Sequence, residues 1–185
     1  MKVLSLKNVE DMKHDPIPFE GEWYQAFGRP ERSGSWIIYG KSGQGKTHFA
    51  LLMAREFDRM GCDGIKDLDE YLSRQRSPDV IFIDSIQYFA AQCGVRAEDV
   101  IALRKKYRNK IFIFISHVDG REVDGRVAYD VKRDSFKRIY IDSFKATYMG
   151  RGRGGPKGYY IIWEEGYQKR SLELLKNKAY EDNNE

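Results

Sequence analysis

Cysteine is scarce in this sequence of 185 residues. The two cysteines, Cys62 and Cys93, show none of the spacings by which cysteine and histidine bind a metal ion. The scarcity argues against a cysteine-ligated metal centre and against a fold held together by disulfide bonds. We expect both cysteines to be free thiols in a reducing compartment.

Long apolar runs and a strong charge imbalance are also missing. No apolar run approaches the roughly 20 residues that span a bilayer, and the first residues lack the apolar core of a secretory leader. The net charge of +4 permits an anionic partner without demanding one. A hydrophobic content of 41% and a charged content of 32% are typical of a soluble globular protein, and the length suits one domain. We expect a cytoplasmic protein, or one inside a host cell if its source is a phage or mobile element, with no membrane partner.

A glycine-rich loop organises the sequence. It has the pattern G-x-x-x-x-G-K-[ST] of a Walker A motif and consists of Gly40, Lys41, Ser42, Gly43, Gln44, Gly45, Lys46 and Thr47. The apolar run 35–39 predicts a short buried strand before the loop, and residues 48–60 carry apolar side chains at helical spacing. A loop between a strand and a helix is the context that this motif requires.

The residue types of this loop predict a phosphate-binding site. Glycines let successive backbone N–H groups turn toward phosphate oxygens, and the helix start at His48 adds free N–H groups and a positive dipole end. Lys46 is expected to reach the β and γ phosphates, and the Thr47 hydroxyl to ligate Mg²⁺. No N-K-x-D base-reading signature is present, so ATP and GTP are both candidates.

A second motif ends in a carboxylate. The apolar residues 80–83 predict a strand buried on both faces, and Asp84 at its carboxyl end has the position of a Walker B aspartate. An aspartate that ends a strand is often only a cap or turn residue. Because a Walker A motif lies upstream, we expect Asp84 to hold Mg²⁺ opposite Thr47, directly or through water.

Strands and helices alternate along the rest of the chain. Apolar periodicity predicts helices near 66–76 and 97–108 and over the last fifteen residues, and strands at 111–115, 138–144 and 159–163. Residues 118–130, rich in glycine and charge, are predicted to be a loop. This order predicts a three-layer α/β/α sandwich with a mainly parallel sheet. We expect three parts: an extension packed on the core (1–34), the main domain (35–170), and a C-terminal helix and tail (171–185).

Four motifs, of which the Walker A loop is the first, resemble those of one family and occur in the same order. The segment 78–87, P-D-V-I-F-I-D-S-I-Q, closely resembles the Walker B segment of RecA-superfamily ATPases, especially the RadA/Sms and DnaB-like branch. Residues 115–118 resemble that branch's strand with a terminal sensor residue, and 145–152 resemble its K-x-R segment. The resemblance covers about Trp36 to Trp163. It implies a P-loop NTPase with a RecA-like core, the cofactors ATP and Mg²⁺, a homo-oligomeric ring or filament, and a short chain of the phage or mobile-element type.

The resemblance also implies catalytic roles beyond those of Lys46 and Asp84. His117 would be the sensor that contacts the γ-phosphate, and a histidine that merely caps a strand end is the alternative. Lys145, with Arg151 or Arg153, would be a finger inserted into the nucleotide site of a neighbouring subunit. Arg151 is favoured because it lies closer to the strand that carries Lys145, and a flexible Gly/Arg loop is the alternative.

Single-stranded DNA is the partner that the resemblance implies. Residues 88–95 and 119–130 would correspond to the two DNA-contacting loops of the family. Arg121, Arg126 and Arg153 are the candidate DNA-binding residues. Because the charges in 119–130 are of both signs, a solvated loop without DNA contact is the alternative.

The sequence departs from the family at one point. RecA-type ATPases carry a catalytic glutamate on a strand between the Walker A helix and Walker B. Here residues 60–64 lead almost directly into the next helix, so we expect that strand and its glutamate to be absent. Asp69 and Glu70 are near in sequence, but both fall in the predicted helix. No residue is assigned as the base, and hydrolysis is expected to be slow or to depend on a partner.

Three functions fit these motifs. The first is a minimal ATPase that acts on single-stranded DNA in replication, recombination or annealing. The second is a nucleotide-dependent assembly switch with little turnover, which the missing glutamate favours. The third is a P-loop kinase for a small molecule or nucleoside, which would need an arginine-rich lid and an acceptor pocket.

Overall fold

The computed structural model describes residues 16–55, 65–120, 122–150 and 154–182. Three predicted site residues, Arg121, Arg151 and Arg153, lie outside these ranges, and so does Cys62.

The chain alternates between strands and helices as the sequence predicts. The helices are α1 (Gly21–Phe27), α2 (Lys46–Arg55), α3 (Ile65–Leu72), α4 (Ile86–Cys93), α5 (Ala97–Lys106), α6 (Arg126–Asp134) and α7 (Glu164–Asp182). The strands are β1 (Gly34–Gly40), β2 (Val80–Asp84), β3 (Ile111–Asp119), β4 (Glu122–Val123), β5 (Lys137–Asp142), β6 (Lys145–Tyr148) and β7 (Tyr159–Ile161). None of the helices in the described part of the chain is both long enough and apolar enough to span a bilayer.

The described strands form one seven-stranded sheet in the order β2-β3-β1-β5-β6-β7, with β4 paired to β3. Strands β2, β3, β1 and β5 are parallel, whereas β6, β7 and β4 pair antiparallel with their neighbours. The sheet is therefore mixed, and its parallel part is consistent with the mainly parallel sheet that the sequence predicts. The cause of the mixed pairing is the two-residue turn between β5 and β6, because so short a connection can only join antiparallel strands. Ser143 and Phe144 in this turn have φ values of 49° and 60°, typical of a tight hairpin turn.

Helices cover both faces of the sheet. Side chains of a strand alternate between faces, so Ile37 packs into one apolar cluster and Trp36 into another. Helices α3, α4, α5 and α6 contribute to the first cluster, through residues such as Leu68, Phe89, Leu103 and Val131. Helices α1 and α2 contribute to the second, through Phe27, Phe49 and Met53. The result is a three-layer α/β/α arrangement with a buried central sheet.

The two loops predicted to contact DNA are regular elements. Residues 118–130 continue β3 to Asp119, return in β4, and enter α6. Helix α6 forms because Ala128 and Val131, three residues apart, are both 2% exposed in the core, while Arg104 on α5 pairs with Asp134 at 2.7 Å. Residues 88–95 fall mostly in α4, whose first turn is capped by the Ser85 hydroxyl accepting from the Tyr88 N–H. The predicted loop conformation is therefore wrong for most of the described residues of both ranges, whereas residues 94–95, 120 and 124–125 do lie outside helices and strands.

Two other boundaries differ from the prediction. The C-terminal helix begins at Glu164, well before residue 171, so it follows β7 almost directly. Residues 145–148, which were predicted only as a segment leading to the last strand, form β6 between β5 and β7. Their alternation is too short to be distinctive, and only the pairing on both sides stabilises them as a strand.

Candidate nucleotide-binding site

The carboxyl ends of three parallel strands bring the predicted motifs together. In the ladder between β1 and β3, Gly40 lies opposite His117, and in the ladder between β2 and β3, Asp84 lies opposite Ile115. Gly40 ends β1 and begins the Walker A loop. The loop, Asp84 and His117 therefore share one edge of the sheet, where α/β folds place their ligands.

The Walker A loop has the backbone geometry that a phosphate cradle requires. It follows β1 directly and leads into α2 at Lys46, as predicted. Gly43 and Gly45 have φ values of 73° and 91°, a region that residues with a side chain rarely adopt. At Gly40 the constraint is space, because an added Cβ would lie 2.1 Å from the carbonyl oxygen of Ile141 on β5. Half of the loop is exposed to solvent, namely Lys41, Ser42, Gly43 and Thr47, and so is His48 in the helix that follows.

Lys46 lies across the start of this loop. Its Nζ donates to the carbonyl oxygens of Gly40 at 2.9 Å and Lys41 at 2.8 Å, and the residue is only 5% exposed. Burial lowers the pKa of the ammonium group from its usual range, and the nearby charge of Asp84 opposes that shift. A cation held by neutral carbonyl oxygens in a buried site is suited to receive an anion such as a phosphate.

Thr47 and Asp84 meet beside the loop. The Thr47 hydroxyl donates to Asp84 Oδ2 at 3.3 Å, across 37 residues of sequence. Hydroxyl and carboxylate oxygens are hard ligands of the kind that Mg²⁺ prefers, so these two side chains fit the predicted metal. Among the described residues there is no group of three or more histidine, cysteine, aspartate or glutamate side chains that could hold a metal. The remaining ligands of a bound Mg²⁺ would thus be phosphate oxygens and water, as is usual for this ion.

The Walker A loop also contacts the β5–β6 turn, which was not predicted from the sequence. Gln44 Oε1 accepts a hydrogen bond from the Ser143 N–H at 2.6 Å. A Cβ on Gly45 would lie 3.2 Å from the Phe144 ring. That ring packs edge-on against the Trp163 ring, with 5.1 Å between the two ring centres. The one signal in the sequence was the spacing of two alternating segments around D-S-F-K, which is of hairpin length.

Gln87 was likewise not assigned a role from the sequence. It lies in the first turn of α4, three residues after Asp84. Its Nε2 donates to Ser116 Oγ at 2.8 Å and to the Asp124 carbonyl oxygen at 2.9 Å. The Walker B segment is therefore joined to the far end of β3 by one side chain.

Lys145, Arg126 and His117 are the other predicted site residues within the described ranges. Lys145 begins β6, and its Nζ lies 4.4 Å from the centre of the Tyr159 ring. Arg126 begins α6 with a side chain that is 95% exposed, 4.0 Å from Asp130. His117 is exposed at the sheet edge.

Asp69 and Glu70 of α3 are each engaged by a basic side chain. Asp69 Oδ1 accepts hydrogen bonds from Lys106 Nζ and from the Tyr107 hydroxyl, both at 2.7 Å, and the pKa of Asp69 is lowered, chiefly by the bond from Lys106. Asp69 thus joins α3 to α5. Glu70 lies on the surface, 3.7 Å from Arg74. Residues 56–64 are outside the described ranges, so the expected absence of a strand and a glutamate there stays a prediction. In the described sheet, β2 is an edge strand.

Comparison with known proteins supports the fold. The sequence matches no protein-family model, and no curated protein is similar to it. Among solved structures, the crystal structure of the flagellar accessory protein FlaH from Methanocaldococcus jannaschii is similar, with a TM-score of 0.54 and 15% sequence identity. The match covers 80% of this chain and 92% of that chain. At this identity the likeness concerns the fold alone: the two chains share the overall arrangement of strands and helices.

Proposed function

We propose that this chain binds ATP with Mg²⁺ and hydrolyses it. The observation that supports this most directly is the 3.3 Å contact between the Thr47 hydroxyl and the Asp84 carboxylate beside the Walker A loop. The two oxygen atoms that we expect to ligate Mg²⁺ come from motifs 37 residues apart in sequence and lie within hydrogen-bond distance of each other. Bound Mg²⁺ would supply charge neutralisation on the phosphates.

The side chains around the contact between Thr47 and Asp84 have different roles in this proposal. The Walker A backbone and Lys46 bind the phosphates, with Lys46 exchanging its two carbonyl acceptors for phosphate oxygens. Thr47 and Asp84 would hold the metal. His117, level with Gly40 in the sheet, is the sensor of the γ-phosphate.

We further propose that the site is completed by a second copy of the chain. Lys145 follows directly on the turn that Gln44 holds, and its ammonium group rests against the Tyr159 ring. A cation–π contact of this kind is modest in energy, so the ammonium can leave the ring for a phosphate of a neighbouring subunit. Arg151 and Arg153, outside the described residues, are the candidate partners of Lys145 in this role.

The first test is phosphate release from ATP with Mg²⁺. The parent should turn over ATP, and Lys46→Ala should abolish both binding and turnover. Lys105→Ala, which removes an exposed lysine of α5 far along the chain from the motifs, is the matched control and should behave as the parent. If Lys46→Ala binds ATP with Mg²⁺ as tightly as the control does, the assignment of the loop is wrong.

A mixing experiment tests the second copy. Lys145→Ala subunits keep an intact Walker A loop, and Lys46→Ala subunits keep an intact finger. Mixing the two inactive variants should restore part of the turnover, because a basic group acting in trans is worth on the order of a thousandfold in rate. If mixing restores nothing and specific activity is constant on dilution, Lys145 acts within its own subunit or only packs on the sheet.

Single-stranded DNA is the partner we propose to test in the same assay. The exposed guanidinium of Arg126 at the start of α6 is the described residue that supports it. Added DNA should stimulate phosphate release, and the stimulation should weaken as salt rises, since contacts with the DNA backbone release counterions. If DNA does not stimulate phosphate release in low salt, single-stranded DNA is not a partner, and the proposal that the chain is an ATPase is unaffected.

A nucleotide-dependent assembly switch is the second candidate. The observation that favours it is the engagement of Asp69 with Lys106 and Tyr107, because a carboxylate held in this way is not free to orient the attacking water. A switch would bind ATP with Mg²⁺ and assemble, as measured by sedimentation, without measurable phosphate release. Turnover that depends on Asp84 would exclude it.

A further inference from the structure

We infer that Gln87 is a positioning residue that ties the Walker B segment to His117 and to the β3–β4 hairpin. This inference rests on the proposed function, because it makes Gln87 the link between the metal site and the sensor. The Gln87 carboxamide makes four contacts. Its Nε2, which carries two hydrogens, lies 2.8 Å from Ser116 Oγ, 2.9 Å from the Asp124 carbonyl oxygen and 3.3 Å from the His117 carbonyl oxygen, and its Oε1 accepts from the His117 N–H (3.4 Å).

The sheet leaves a gap at this position that the Gln87 side chain fills. The last pair between β2 and β3 joins Asp84 to Ile115, so β3 runs on past the end of its neighbour. On the other side, His117 is still paired in register with Gly40 of β1. A carboxamide carries one acceptor and a donor group, as a peptide unit does. Gln87 therefore extends the hydrogen bonding of β3 where the backbone of β2 has ended.

The same contact reaches the hairpin. The Asp124 N–H donates to the His117 carbonyl oxygen at 3.0 Å, and Gln87 holds both of these residues at their carbonyl oxygens. Ser116 is fully buried, so its hydroxyl has no access to solvent as a replacement partner. Helix α6 begins two residues after Asp124, at Arg126. Helix α4, strand β3, the hairpin and the start of α6 thus meet at one side chain.

Two consequences follow for the proposed reaction. The backbone of His117 is held on both sides, which fixes the point and the Cα–Cβ direction from which its exposed imidazole extends at the sheet edge. In addition, Asp84 and Gln87 are separated by only two residues, and Ser85 caps the helix that carries Gln87. A short path of contacts therefore connects Asp84, through helix α4 and the Gln87 side chain, with the hairpin that precedes α6.

Hydrogen exchange in the nucleotide-free protein tests the link itself. Gln87→Met keeps the length and helix propensity of the side chain and removes the carboxamide. The matched control is Gln92→Met, the same change at an exposed position of the same helix. Loss of these hydrogen bonds should speed exchange at the amides of His117 and Asp124 by about 5- to 30-fold relative to the control. Unchanged exchange at both amides overturns the inference, whatever the protein does with ATP.

Kinetics then separate positioning from general loss of structure. Gln87→Met should lower kcat by about tenfold or more, because small misplacements of a catalytic group are costly, while the affinity for a non-hydrolysable ATP analogue stays that of the control. Combined with His117→Ala, it should lower kcat no further than His117→Ala alone, since Gln87 acts through His117. Additive losses, or an equal loss of analogue affinity, overturn the role. A parent without turnover refutes the ATPase proposal instead, and the exchange experiment still decides whether Gln87 holds the hairpin.

Discussion

Replacement of Gly40 by alanine is expected to damage both the fold and the nucleotide site. An alanine Cβ would lie 2.1 Å from the Ile141 carbonyl oxygen and 3.0 Å from its carbon, and real Cβ contacts are essentially never under 3.0 Å. The two strands must therefore separate by about 0.9 Å where β1 enters the Walker A loop. Because the obstructing atoms are backbone atoms of a paired strand, no side chain can rotate to make room.

The cost follows from that displacement. Overpacking of this kind costs about 1–3 kcal/mol, and loss of one hydrogen bond at the end of the β1–β5 ladder adds about 1 kcal/mol, which together predict about 2–4 kcal/mol. For a chain of this length each kcal/mol lowers the Tm by about 2–4 °C, so the melting temperature should fall by about 5–15 °C. The affinity for ATP should fall as well, since the loop begins at the displaced residue.

Denaturant unfolding and a nucleotide titration measure the two effects. Gly94→Ala is the control, because Gly94 has a φ of 61° but no atom within 4 Å of an added Cβ. Its cost is backbone strain alone, about 1–2 kcal/mol, and it should leave ATP affinity unchanged. If Gly40→Ala unfolds within about 0.5 kcal/mol of the parent and binds ATP normally, the close approach of β1 to β5 is not a constraint on the site.

Two further predictions concern the charges of the site. Asp84→Asn should keep most of the nucleotide affinity but lose Mg²⁺-dependent turnover, because it preserves shape and removes the charge that holds the metal; a Mg²⁺ titration in which the parent and Asp84→Asn respond alike would move the metal role elsewhere. Burial lowers the pKa of Lys46 in the free protein, and bound phosphates favour its charged form, so ATP affinity should be highest below that lowered pKa and should fall as pH rises toward the usual 10.5. Affinities measured from about pH 7 to about pH 10 check this, with Lys46→Arg as the variant in which any remaining affinity should lose the dependence, because a guanidinium stays charged over this range.

The parts of the site that could be predicted from the sequence are those whose chemistry is local. The Walker A loop needs glycine at fixed positions and a strand and helix on either side, and residues 35–60 display all of these. Asp84 could be predicted because four apolar residues in a row identify a strand buried on both faces, and such a strand ends at the ligand edge. The parallel order of β1, β2, β3 and β5 follows from helices that alternate with these strands.

The parts that could not be predicted depend on contacts between distant segments. Residues 126–134 have mostly polar side chains, and only Ala128 and Val131 are buried, so the helix is stabilised by packing that the sequence does not display. Residues 145–148 are a strand because β5 and β7 pair with both of their edges. Gln44 contacts Ser143 across 99 residues, and no local pattern distinguishes it from any exposed glutamine.

Gln44 and Gln87 connect the proposed nucleotide site with two different parts of the molecule. Gln87 leads from Asp84 to the hairpin before α6, whereas Gln44 leads from the Walker A loop to the turn that immediately precedes Lys145. In an assembly of the proposed kind, Lys145 completes the site of the next subunit. The position of that finger would then depend on the loop of its own subunit, because Gln44 holds the Ser143 N–H only while the loop keeps its present shape. Occupancy of one site would thereby set the geometry of the next, and ATP binding should be cooperative in the parent and lose its cooperativity in Gln44→Ala.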